Sequence, residues 1–179
     1  MKIFVGMGSS NDIPKLYFDE CSLFLNKLLK DNDLTFGGYD SGLMGIAYHA
    51  CKDNGNKVLG AASVDYKNDL LKLDCDKKIV VDNLLERTHE LLINCDAIVF
   101  LPGGIETIIE LFSSLAYSRN NTINIPIVFY NLNHYYDKLL EFMDVMYNEN
   151  FARNEVKDYY FISDDIDKIM NYLNMRKEV

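Results

Sequence analysis

Short β-rich segments alternate regularly with segments of helical periodicity along the whole of this chain. Strands are predicted at residues 2–6, 34–36, 58–62, 78–81, 97–101, 126–130 and 159–162, and helices at 13–30, 43–52, 83–93, 107–117, 135–147 and 165–173. Residues 63–77 are polar and match neither pattern. In the helix predicted at 13–30, Pro14 suits the first turn, with Asn11 or Asp12 as the cap. Alternating strands and helices are typical of parallel sheets with right-handed crossovers. The sequence therefore predicts an α/β fold, a doubly wound parallel sheet with helices on both faces.

The length and charge of the chain limit the number of domains and the kinds of binding partner that we expect. Its 179 residues fit one domain, predicted to span residues 1–179, and a 49% apolar content is enough for one core. The formal net charge of −9 repels phosphate backbones, so nucleic acid is not expected as a partner. No apolar run approaches the roughly 18 residues that span a bilayer, so no membrane association is expected.

The cysteines and histidines argue against metal binding. Cys21, Cys51, Cys75 and Cys95 include no CxxC pair, and the three histidines form no ligand-spaced cluster with them. Buried free thiols are typical of a reducing compartment, so a cytoplasmic location and no metal site are predicted.

Three glycine-bearing segments each follow a predicted strand and precede a helix. They are GMGSS with Gly8 and Ser9, FGGYDSGLMG with Gly37, Gly38, Gly42 and Gly45, and FLPGGIETIIE with Gly103 and Gly104. Glycine lets a ligand approach the backbone, and free N–H groups at a helix start attract anions. Because the carboxyl ends of parallel strands share one edge of the sheet, these turns predict a nucleotide-like ligand there. Each cluster by itself is equally consistent with a tight turn. Neither the P-loop nor the GxGxxG pattern is present.

Together these motifs resemble the Lonely Guy family, often labelled "possible lysine decarboxylase". FGGYDSGLMG and PGGIETIIE are similar to the family motifs GGGxxGLMG and PGGxGTxxE. The segments GSS, LERTHEL and NLNHYYDKLLEFMD follow in family order along nearly the whole chain. The resemblance implies a Rossmann-like homodimer that hydrolyses the N-glycosidic bond of a purine nucleoside 5′-monophosphate. The base would be adenine or an N6-modified adenine, as in cytokinins, and ribose 5-phosphate the other product. No metal or organic cofactor is expected.

The resemblance also assigns roles to residues. Arg87 and Glu110 correspond to the family's catalytic pair. N-glycoside cleavage develops positive charge on the sugar, which a carboxylate stabilises, while an arginine binds substrate through directed hydrogen bonds. Taken without the family, Arg87 is better explained as a solvated helix face beside Glu90, and Glu110 as an acid that complements the helix dipole.

A set of further residues is predicted to bind substrate. Thr107 lies three residues before Glu110, so both are expected to face one pocket. Met44 is placed either against the adenine or in the core. The predicted substrate-binding residues are Gly8, Ser9, Gly37, Gly38, Gly42, Met44, Gly103, Gly104, Glu106 and Thr107.

This chain departs from the family pattern at three positions. Glu106 replaces the family's second phosphate-loop glycine, where its carboxylate would oppose a phosphate and its backbone would need a conformation that glycine adopts freely. Thr88 replaces a lysine, which removes a positive charge beside the sugar and phosphate, and Leu85 replaces a histidine. Three hypotheses therefore stay open. They are a nucleoside-monophosphate N-glycosidase, an N-glycosidase of an uncharged nucleoside or of a substrate with a differently placed phosphate, and a non-catalytic nucleotide or nucleoside sensor.

Aromatic residues and one histidine give weaker signals. Tyr117, Tyr135 and Tyr136 are placed in the core, at an interface or in a base pocket. His89 is expected at the surface or at an interface.

Overall fold

The computed structural model describes residues 1–177. Over this range the chain forms a seven-stranded parallel sheet and seven α-helices, with short 3₁₀ turns between them. The strands are β1 (Lys2–Gly6), β2 (Asp33–Phe36), β3 (Val58–Ser63), β4 (Lys77–Val81), β5 (Ala97–Phe100), β6 (Ile127–Tyr130) and β7 (Tyr160–Ser163). The helices are α1 (Lys15–Leu28), α2 (Gly42–Asp53), α3 (Lys67–Lys72), α4 (Leu84–Ile93), α5 (Ile105–Arg119), α6 (Asp137–Asn148) and α7 (Ile166–Lys177).

The strand order places one switch point at the centre of the sheet. The order is β4-β3-β2-β1-β5-β6-β7, so the chain winds outward from β1 in one direction and from β5 in the other. The loops that leave β1 and β5 therefore diverge to opposite faces and open a crevice between them, which is where sheets of this kind bind ligands. The predicted fold class is confirmed.

The central strands are buried on both faces, as their continuous apolar sequences predict. In β1, Ile3 and Val5 belong to a core shared with α1, α2 and α7, whereas Phe4 belongs to a core shared with α4, α5 and α6. The period of two residues along a strand thus divides the apolar side chains between two helical layers. Both layers hold β1 and β5 rigidly, which fixes the positions of the loops that follow them.

The main difference from the sequence prediction lies at the start of α1. A cap from Asn11 or Asp12 was expected for a helix that begins at residue 13, but this prediction is wrong. Pro14 occupies the N-cap position of α1, and no side chain caps the helix. Asn11 instead accepts a hydrogen bond from the amide of Gly42, at the start of α2.

Local hydrogen bonding explains where other elements begin. The polar stretch 63–77 contains a 3₁₀ turn (Val64–Tyr66) and the short helix α3. The helix α4 begins one residue after Asn83, whose side chain accepts from the amides of Leu85 and Glu86, while the Glu86 carboxylate accepts from the Asp82 amide. Such reciprocal capping satisfies amides that a helix leaves without partners.

Within the described residues, no helix has both the length and the apolar character of a membrane span.

The four cysteines are free thiols, three of them buried and Cys75 partly buried. Burial raises the pKa of both the Cys21 and the Cys95 thiol to about 12, which leaves these groups uncharged and unreactive.

Candidate functional site

A cavity of about 650 Å³ lies at the carboxyl ends of β1, β2 and β5, at the switch point of the sheet. Its volume is in the range of pockets that bind small molecules. Ten of the twelve residues predicted to bind substrate or take part in catalysis line it: Gly8, Ser9, Gly37, Met44, Arg87, Gly103, Gly104, Glu106, Thr107 and Glu110. The cavity therefore brings together parts of all three glycine-bearing segments.

One wall of the cavity is the start of α5. Gly104 is the N-cap residue of α5, and no side chain caps the helix. The first amides of α5 therefore lack a side-chain acceptor at the edge of the cavity, where the helix dipole favours an anion. Gly103 must be glycine, because a Cβ there would lie 2.3 Å from Oγ1 of Thr107. Tyr135 holds the turn in place, since its hydroxyl donates to the Gly103 carbonyl at 2.6 Å.

The start of α2, in contrast, is closed to ligands. The Gly42 amide donates to Oδ1 of Asn11 at 2.9 Å, and the Leu43 amide donates to the Gly8 carbonyl at 3.1 Å. The loop after β1 thus takes the hydrogen bonds that an anion would have taken. The anion-attracting end of a helix at this cavity is that of α5.

Two glycines predicted to bind substrate lie outside the cavity lining. Gly38 and Gly42 have φ values of +72° and +55°, in the left-handed region that favours glycine. A Cβ on Gly38 would lie 2.8 Å from Leu70 Cδ1, and one on Gly42 would lie 2.5 Å from the Ser9 carbonyl carbon. Both glycines therefore shape the turn and let two loops pass closely, while Gly37 and Met44 present atoms to the cavity.

At the cavity, a guanidinium from α4 meets a carboxylate from α5. Arg87 Nη2 donates to Glu110 Oε1 at 2.8 Å, and the two residues are only 5% and 2% exposed. Arg87 Nε is buried with no hydrogen-bond partner, so the arginine retains a donor. The reading of Arg87 as a solvated side chain beside Glu90 is thus wrong.

A second carboxylate reaches the same guanidinium. Glu106 lies in the first turn of α5, four residues before Glu110 and on the same helix face. Its Oε2 lies 2.9 Å from Arg87 Nη2, and its side chain is 49% exposed at the cavity. The backbone of Glu106 is helical. The expectation that this residue needs a conformation reserved for glycine is therefore wrong.

Burial governs the charge of Glu110. Removal from water raises the pKa of the Glu110 carboxyl from 4.5 to about 7, although Arg87 opposes this effect, and the Glu106 carboxylate adds to the rise. The carboxyl is therefore poised to change its protonation state near neutral pH, as acid–base and electrostatic catalysts commonly are.

Two other departures noted in the sequence lie away from the cavity. Thr88 is buried, its Oγ1 has no hydrogen-bond partner, and it is not one of the lining residues. Leu85 is 69% exposed. The expectation that Thr88 removes a charge beside the ligand does not apply to this cavity.

Three tyrosines of the cavity wall were not predicted from the sequence. Tyr17, Tyr39 and Tyr66 line it together with Tyr135. Tyr17 and Tyr135 are in edge contact, with ring centroids 5.8 Å apart. A usable signal was present for Tyr39 and Tyr66, since both follow the carboxyl ends of predicted strands. Tyr17 lies within α1 and carries no such signal.

The other two tyrosines considered from the sequence serve the fold. Tyr136 is buried, and its hydroxyl donates to the Leu101 carbonyl at 2.6 Å. The Tyr117 hydroxyl lies 3.0 Å from Nδ1 of His89, and His89 is exposed, as expected.

These features define a class of protein: a Rossmann-like α/β protein with a small-molecule cavity at the switch point of its sheet, bordered by an open helix start and a buried Arg–Glu pair. Comparison with known proteins agrees with this classification. The family model described as "possible lysine decarboxylase" matches residues 44–173. The chain therefore belongs to this family, the Lonely Guy family.

The sequence relatives and the solved structures of similar fold carry different functional names. The chain is 30% identical over 159 residues to a probable cytokinin riboside 5′-monophosphate phosphoribohydrolase of Oryza sativa subsp. japonica, covering 87% of this chain and 69% of that protein. It is 30% identical over 158 residues to a cytokinin riboside 5′-monophosphate phosphoribohydrolase of Arabidopsis thaliana, covering 87% and 74%. Among solved structures, a molybdenum cofactor carrier protein of Chlamydomonas reinhardtii superimposes with a TM-score of 0.71 at 14% identity, over 99% and 98% of the two chains. That likeness shows the fold alone.

Proposed function

We propose that this protein hydrolyses the N-glycosidic bond of a purine nucleoside 5′-monophosphate, releasing the free base and ribose 5-phosphate. The base is adenine or an N6-modified adenine. The observation that carries the proposal is the buried hydrogen bond between Arg87 and Glu110 in a cavity that also opens to the start of α5. The relatives named as phosphoribohydrolases support the same reaction.

The reaction breaks the bond between the sugar C1′ and the base nitrogen. The electron pair of that bond leaves with the base, which takes a proton, and positive charge develops on C1′ and the ring oxygen. A water molecule adds to C1′ and loses a proton. In its ionised form, Glu110 stabilises the positive charge on the sugar or accepts the proton of the water. Because Glu110 is buried, its charge acts in a medium of low dielectric constant, where it is most effective.

Arg87 has a positioning and binding role in this proposal. Its hydrogen bond fixes the orientation of the Glu110 carboxylate, and its positive charge at the cavity attracts a hydroxyl or phosphate oxygen of the substrate. The first amides of α5 and the Ser9 hydroxyl supply further donors for the phosphate. Tyrosine side chains on the cavity wall offer aromatic surface to the base.

Release of free base tests the proposal directly. The protein is incubated with AMP and with N6-isopentenyladenosine 5′-monophosphate, and the products are separated by chromatography. We expect free base and ribose 5-phosphate from the wild-type protein. We expect a loss of at least about 100-fold in kcat from Glu110→Gln, which keeps the shape of the side chain and removes its charge.

A matched variant separates this effect from a general change in charge. Glu141→Gln removes a carboxylate that pairs with Lys138 on α6, away from the cavity, and should leave base release unchanged. Unimpaired turnover by a folded Glu110→Gln protein would remove Glu110 from the mechanism. Binding of nucleotide without any base release would favour a non-catalytic sensor.

Homodimerisation, which the family resemblance implied, is also proposed. Light scattering of the purified protein after size-exclusion chromatography tests it, and a mass near 20.6 kDa at micromolar concentration would contradict it.

A further inference from the structure

The charged side chains of the cavity are unfavourable to a dianion. Among the described residues that line it, one guanidinium, that of Arg87, stands against the carboxyl groups of Glu106 and Glu110. Even with Glu110 protonated, Arg87 is neutralised by Glu106. The charged side chains of the cavity thus offer no net positive charge to a phosphate group.

Glu106 lies close to the place where the start of α5 would hold a phosphate group. Glu106 lies in the first turn of α5, where the amides open to the cavity, and half of its side chain remains exposed there. A phosphate bound by those amides would have the Glu106 carboxylate as a near neighbour. Repulsion between charges a few ångströms apart near a protein surface changes affinity by about tenfold or more.

Glu106 also competes for the cation that a phosphate would use. Its Oε2 lies 2.9 Å from Arg87 Nη2, and Arg87 is nine-tenths buried with its Nε unpartnered. A phosphate oxygen that approaches this guanidinium has to share its positive charge with the Glu106 carboxylate. The carboxylate therefore acts against the phosphate in two ways, by repulsion and by pairing with the same cation.

We propose that Glu106 is a specificity-determining residue that weakens the hold of the site on a 5′-phosphate, so that uncharged purine nucleosides are substrates alongside the monophosphates. The inference rests on the proposed N-glycosidase function and narrows its substrate class. A neutral ribose hydroxyl in place of the phosphate meets no repulsion, and it donates readily to a carboxylate at the start of α5.

The test compares kcat/KM for AMP with kcat/KM for adenosine. Glu106→Gln removes the charge and keeps the shape, and Glu106→Gly also removes the side chain. We expect the AMP-to-adenosine ratio to rise at least tenfold in both variants, mainly through a lower KM for AMP. Glu141→Gln, which changes the net charge equally on α6, should leave the ratio within about threefold of the wild-type value. A ratio in Glu106→Gln within threefold of wild type would overturn the proposal.

Binding of ribose 5-phosphate separates this inference from the proposed function, because this molecule has no glycosidic bond to cleave. Its dissociation constant is measured by calorimetry for the wild-type and Glu106→Gln proteins, with ribose as the uncharged reference. Tightening of at least tenfold for ribose 5-phosphate relative to ribose supports the role of Glu106, even if no protein releases base. Equal binding by both proteins, or none by either, would overturn it.

Discussion

Arg87 and Glu110, 23 residues apart in the sequence, are joined by a hydrogen bond of 2.8 Å between two side chains that are almost excluded from water. Removing two charges from water costs about as much free energy as their attraction returns, so such a pair contributes little net stability. A pair of this kind is more readily explained by chemistry at the cavity than by folding. The predictions below test its electrostatics and the loops that support it.

The pH dependence of stability should report the raised pKa of Glu110. The folded state holds this proton more tightly than the unfolded state, with a pKa of about 7 against 4.5. The resulting stabilisation is fully present below pH 4.5 and is lost as the pH rises through 7. Relative to Glu110→Gln, the free energy of unfolding of the wild-type protein should fall by up to about 3 kcal/mol between these limits. Urea unfolding of both proteins at pH 4.5, 6 and 8 measures the difference, and parallel pH profiles would argue against it.

The pH dependence of base release should report the same group in its catalytic form. If the ionised carboxylate stabilises the sugar cation or accepts a proton, kcat/KM must increase as the pH rises through about 7. Initial rates of base release with adenosine, which has no phosphate to titrate in this range, provide the measurement. The increase should be absent in Glu110→Gln. A rate that declines over this range would instead assign Glu110 the role of a proton donor.

Two glycines of the site loops should differ in how much stability an alanine substitution removes. Gly42→Ala places a Cβ 2.5 Å from the Ser9 carbonyl carbon at a φ of +55°, so we expect a loss of at least about 2 kcal/mol. At Gly104, no atom would lie within 4 Å of a Cβ. Gly104→Ala should therefore cost less than about 1 kcal/mol. Thermal and urea denaturation compare the two variants. Equal losses of stability would show that the close contact at Gly42 does not make an alanine there more costly than at Gly104.

The loop after β1 should stabilise the protein through α2. Asn11→Ala removes the acceptor of the Gly42 amide and should cost about 1 kcal/mol, the usual value for a lost helix cap. Asp12→Ala is a suitable control, because Asp12 is exposed and contributes only its backbone amide, to the Ser10 hydroxyl. Urea denaturation distinguishes the two. If Asp12→Ala were the more costly, the cap would belong to α1, as the sequence suggested.

The elements that were predicted correctly are those with a local signal. The residues of β5 form a continuous apolar run, and those of α4 combine helical periodicity with Asn83 as an N-cap. The boundaries of α1 and the partner of Asn11 were not predictable in this way. The acceptor for Asn11 lies 31 residues along the chain, on a different helix.

Prediction from residues close in the chain has the same limit at the candidate functional site. The motifs picked out ten residues of the cavity, because glycines at strand ends and a following helix are encoded within a few residues of one another. They did not reveal that Gly38 and Gly42 shape the turn outside the lining, since this depends on contacts with Leu70 and Ser9. Nor did they show that Thr88 is buried outside the cavity lining.

The alternation of strands and helices, and hence a parallel sheet whose loops meet at one edge, can be predicted from the residues alone, because these properties follow from periodicity and from turn residues close in the chain. In contrast, the folded arrangement alone reveals that Glu106 and Glu110 share the guanidinium of Arg87 and that burial brings the pKa of Glu110 to about 7. Charge–charge distances and desolvation depend on how α4 and α5 pack on the sheet, and no local pattern of residues specifies them.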